Sequence, residues 1–112
     1  MKIVKEKIEL SELNDMAAAM FGDMVKAVAD INKEIMAIDA DLHSDEEALL
    51  LNEGSKQDDI WGINIYPELP PDERVEFDSM INLRPRVGNR TRGVDNPEIR
   101  GKIISVVNKL IV

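Results

Sequence analysis

The chain has 112 residues, a net charge of −8 and no cysteine. That length suits one domain with a core of its own. The lack of thiols excludes disulfides and cysteine-based zinc sites, and no apolar run approaches the roughly 18 residues of a membrane span. The acidic balance opposes DNA binding, which draws on clustered Lys and Arg, and a chain with 44% hydrophobic residues is too apolar for disorder. Met1 to Glu6 carries no apolar stretch, so no signal peptide is expected and a cytoplasmic single domain over residues 1–112 is.

The charge is unevenly spread. Arg84 to Lys102 holds Arg84, Arg86, Arg90, Arg92, Arg100 and Lys102 against Asp95 and Glu98, a net +4 that leaves −12 for the remainder. Asp39 to Asp59 sums to −7, with Lys56 its single base. The chain therefore carries one acidic block and one arginine block.

In chain order, Ile3-Val4 reads as a short strand. Ser11 precedes an acidic first turn and the spacing Leu13, Met16, Ala17, Met20, which predicts a helix over Glu12 to Phe21, stopped by Gly22. Met24 to Ile38 fits two periods. Met24, Val28, Ile31, Ile35 and Ile38 would line a continuing helix, whereas Val25, Ala27, Ala29 and Ile31 alternate as a strand that turns at Asn32-Lys33 and returns through Ile35 to Ile38. The stop at Gly22 and the β-branched content favour the hairpin, although the turn lacks glycine.

Asp39 to Glu46 reads as a polar connector, Ala48 to Leu51 as a buried strand, and Asn52 to Ser55 as a turn. Ile60 to Tyr66 alternates with Trp61, Ile63 and Ile65 on one face. Pro67 to Arg74 must be a loop. Val75 to Leu83 alternates again, with Val75, Phe77, Ile81 and Leu83 inward and Asn82 outward. Pro85 to Asn96 forms an arginine-rich loop, and Asn96 caps a helix that has Pro97 in its first position and Ile99, Ile103, Val106 and Leu110 on its apolar face. The expected fold is α+β: an antiparallel meander of about five strands, with an extra short strand at the N-terminus, carrying an N-terminal and a C-terminal helix.

The string Trp61-Gly62-Ile63-Asn64-Ile65-Tyr66-Pro67, followed by Phe77-Asp78-Ser79-Met80-Ile81-Asn82-Leu83-Arg84-Pro85 and Gly88-Asn89-Arg90, resembles a family of small prokaryotic proteins known only as a domain of unknown function. Leu42 to Glu47 fits the same pattern, and the resemblance runs from about Phe21 onward. It implies a stand-alone cytoplasmic domain and brings no catalytic residue, cofactor or partner with it.

Two constellations carry chemistry. In the arginine loop, guanidinium forks suit phosphate or carboxylate, glycines allow close approach, and a helix N-terminus follows. Arg84, Arg90 and Arg92, with Asn82 and Asn89, are therefore candidate ligands of a small anion such as a phosphate, nucleotide or carboxylate. The Gly-Lys-Ser/Thr ending of a phosphate-binding P-loop is missing. The same arginines also suit salt bridges to the acidic block. The second constellation is His43, Asp45 and Glu47, which share a face if the segment is extended. Such a trio can serve as an acid–base site or hold Zn²⁺ or Mn²⁺, and it also describes a solvated acidic connector. The residues name no particular cofactor. The alternative function is a non-enzymatic interaction protein or homodimer in which the arginine loop pairs with the acidic block.

Overall fold

Alternating apolar residues build the centre of the protein, described here for residues 1–112 from a computed structural model. Strands β1 (Lys2–Val4), β2 (Val25–Asp30), β3 (Ile35–Ile38), β4 (Ile60–Ile65) and β5 (Val75–Glu76) form one antiparallel sheet in the order β1-β3-β2-β4-β5. Helices α1 (Leu10–Ala19) and α3 (Pro97–Leu110) cover one face, and α2 (His43–Asn52) covers the other.

Side-chain alternation along the strands explains these layers. Ala27, Ala29, Trp61, Ile63 and Ile65 point to the α1/α3 side and pack with Leu13, Ile103, Val106, Val107 and Leu110. Val28, Ala37 and Ile60 point the other way, against Leu50 of α2. The expected N- and C-terminal helices thus share a face. The β2–β3 hairpin forms without glycine because Asp30 builds the turn. Its Oδ1 accepts from the backbone N–H of Asn32 at 2.9 Å and of Lys33 at 2.8 Å, and its Oδ2 accepts from the Ser55 hydroxyl at 2.6 Å. Glu34 closes the turn at φ +57°.

Three local expectations change. Ala48 to Leu51 is helical, not a strand, because His43, Glu46 and Leu50 recur at helical spacing and are the residues α2 buries. Acidic Asp45 in its first turn suits the helix dipole. The first helix starts slightly earlier than expected, at Leu10, and Gly22 at φ +97° follows its end. The long strand over Val75 to Leu83 stops at Glu76 and passes into a 3₁₀ turn at Met80–Asn82, with Ser79 Oγ accepting from the Ile81 N–H. Val75, Phe77 and Ile81 pack inward as expected, but the end of the segment is reversed: Asn82 is fully buried and Leu83 is exposed.

Candidate functional site

The early end of β5 leaves the edge of β4 from Ile60 to Gly62 without a partner strand, and side chains take the strand's place. The Asn82 carboxamide accepts from the Gly62 N–H and donates to the Gly62 carbonyl, both at 2.9 Å. Arg84 Nη2 donates to the Ile60 carbonyl at 2.7 Å, and its Nε donates to the Ile81 carbonyl at 3.2 Å. The guanidinium lies over the Trp61 ring, 4.7 Å from its centroid, with Glu47 Oε2 at 3.9 Å. Gly62 has to be glycine here, since a Cβ would stand 2.6 Å from Ser79 Cβ.

Asn89 then fastens the arginine loop. Its Nδ2 reaches the carbonyls of Asn82 at 2.7 Å and Gly93 at 2.9 Å, while its Oδ1 accepts from the Asp95 N–H at 2.8 Å. Asp95 in turn accepts from the Thr91 hydroxyl and the Arg90 N–H, which hold its carboxyl below the ordinary range. The buried polar groups of Asn82, Arg84 and Asn89 are thereby directed at the backbone, and the loop they brace presents Arg86, Arg90 and Arg92 to solvent.

This bracing positions Arg92. Its carbonyl accepts from the Ser79 N–H at 2.9 Å and from Asn82 Nδ2 at 3.0 Å. The side chain donates from Nε to Asp78 at 2.7 Å and lines a groove of about 160 Å³ with Lys26, His43, Ser44, Ser79 and Met80. Lys26 arrives from β2 on the α2 side of the sheet, opposite Asn64. His43 and Ser44 begin α2, whose first turn has no side-chain cap; the Asp45 N–H is taken by the Leu42 carbonyl at 3.2 Å, which leaves those of His43 and Ser44 without a partner in the chain. Two cations, two hydroxyls, a helix N-terminus and the only histidine of the chain therefore meet in one place.

His43 has a defined protonation state. Its Nε2 lies 2.7 Å from the Ile63 carbonyl, which can only accept, so Nε2 carries the proton. Burial lowers its pKa below 6.5, and the positive charges of Lys26 and Arg92 act in the same direction against the Ile63 bond and Asp78. The ring is thus neutral near pH 7, with the lone pair on Nδ1.

The helical turn scatters the other members of the acidic constellation. Asp45 lines a separate hollow with Asp39 and Asp41, and Glu47 accepts from Gln57 Nε2 at 2.7 Å beside Arg84. His43, Asp45 and Glu47 are not brought together, and no three His, Asp or Glu side chains are gathered where they could hold a metal ion. Arg90 lies outside the groove. Lys26, Ser44 and Ser79 escape a reading of the sequence because their meeting depends on strand register and on where α2 begins. The one available sign was Lys26 itself, a charge near the start of a strand whose next three residues are apolar.

No helix is long and apolar enough to cross a membrane. No curated protein and no solved structure matches the chain. A family model covers residues 2–110, nearly the whole chain, and on that ground the chain belongs to the family described as Protein of unknown function (DUF5674).

Proposed function

We propose that the protein binds a small anion, a phosphate- or carboxylate-bearing molecule, in the groove between the start of α2 and the Ser79–Ile81 segment. The observation that carries this reading is the neutral His43 ring sharing that groove with Lys26 and Arg92 at an uncapped helix N-terminus. Lys26 and Arg92 supply charge, the Ser44 and Ser79 hydroxyls and the first N–H groups of α2 supply hydrogen bonds, and exposed Leu42 and Met80 offer an apolar rim to the rest of the ligand. His43, through Nδ1, accepts a hydrogen bond or a proton from the bound molecule. Asn82, Arg84 and Asn89 are positioning residues that hold Arg92 in place, and Arg90 contributes long-range charge.

Titration with inorganic phosphate and with acetate, followed by amide NMR, tests the proposal. Saturable shifts are expected at Ser44, Ser79 and Arg92. Lys26→Ala and Arg92→Ala should each weaken binding about tenfold, the loss of one charge-assisted hydrogen bond. A wild-type response in the double variant, or no saturable shift at these residues, would refute it.

A second reading is self-association, favoured by charges left unpaired on both sides: Asp41 and Asp45 of the acidic block and Arg90 of the loop enter no ion pair within the chain.

A further inference from the structure

The acidic block builds a shaped surface. Asp39, Asp41 and Asp45 rim a hollow of about 680 Å³ whose floor includes Met20, Ala48 and Leu49. The methionine is 44% exposed, so an apolar floor lies open inside an acidic rim. Within the chain this rim meets only the terminal amine, 3.9 Å from Asp39. The arginine loop has the complementary form. Val87, 47% exposed, stands in a 3₁₀ turn beside Arg86, with Arg90 three residues on, and Asn89 braces the turn from within. Arg86 reaches only the exposed Asp58, at 3.7 Å, a contact that solvent screens.

Resting on the self-association reading, we propose that the occupant of the hollow is the arginine loop of a second copy, with Val87 against the apolar floor and Arg86 and Arg90 on the acidic rim. Charge complementarity selects this occupant. Two copies that each carry −8 repel on average, so they meet favourably only where the +4 segment of one faces the −7 segment of the other. The two surfaces share no residue: each copy offers a loop at one place and a hollow at another, so the contact either closes reciprocally between two copies or continues head to tail. A loop seated in one hollow makes a small interface, which places it among weak, salt-sensitive contacts.

The test is sedimentation velocity on wild type, on Asp41→Asn/Asp45→Asn, on Arg86→Gln/Arg90→Gln, and on an equal mixture of the two variants, at low and high salt. The altered side chains are exposed, so folding is retained. Wild type should associate at low salt and dissociate at high salt, and each variant alone should associate roughly tenfold more weakly. The mixture should form a species that stops at two copies, because one intact loop then meets one intact hollow. Wild type that stays monomeric at every concentration overturns self-association itself. Wild type that associates while the mixture stays monomeric, or variants that associate as wild type does, leaves self-association standing and overturns this interface.

Discussion

Glu46→Gln should stabilise the protein at neutral pH. Glu46 is fully buried in α2; one carboxyl oxygen accepts from the Ala40 N–H at 3.1 Å and the other has no partner. Burial pushes its pKa up from 4.5 to about 9, so the folded protein holds it protonated at pH 7 while the unfolded chain ionises it. Folding then requires uptake of a proton, and stability falls as pH rises from 4.5 towards 9. At about 1.4 kcal/mol per pH unit, the cost at pH 7 is about 3 kcal/mol. Glutamine keeps the shape and the bond from Ala40 and removes the titration. Its amide lacks a second partner just as the protonated carboxyl does, so those two costs largely cancel. Urea unfolding of both proteins at several pH values provides the assay. The stability difference should be small near pH 4.5 and should widen in favour of the variant by about 1.4 kcal/mol per pH unit above it. Parallel stability curves for the two proteins across this range would refute the reasoning.

Two further predictions concern the braced edge of β4. Asn82→Ala leaves the buried Gly62 N–H and carbonyl unpaired and releases Arg92, so it should cost about 3 kcal/mol in chemical denaturation and also weaken phosphate binding. Gly62→Ala should cost about 1–3 kcal/mol through the contact with Ser79, and Ser79→Gly in the same chain should recover much of that loss; a double variant no more stable than Gly62→Ala would show the clash is not the cause.

What could be read from the sequence follows from how local the cause is. The C-terminal helix is legible because Asn96 and Pro97 mark its start with chemistry contained in two adjacent residues, and Asn96 Oδ1 does accept from the Glu98 N–H at 2.9 Å. The β2–β3 hairpin is legible from its alternation, although its turn is made by Asp30 rather than by a glycine pair. Ala48 to Leu51 misleads because a short apolar run suits a buried strand as well as a helix, and the polar residues that α2 buries, His43 and Glu46, do not look like a core face. Asn82 misleads more deeply. Alternation marks it as outward, yet it is buried because its amide replaces a missing strand, a role set by a partner 20 residues away. The candidate site has the same character. Arg92 and His43 stand out by residue type, whereas Lys26 and Ser79 join them only through sheet register and the path of the loop.

The most direct measurement on the anion groove is an NMR pH titration of the His43 ring with and without sulfate, an anion that keeps its charge throughout the range. The free protein should show a neutral Nε2–H tautomer with a pKa below 6.5. Sulfate should raise that pKa, because an anion in the groove offsets Lys26 and Arg92 and favours the charged ring. A free-protein pKa at or above 6.5, or one that sulfate leaves unchanged, would contradict the account.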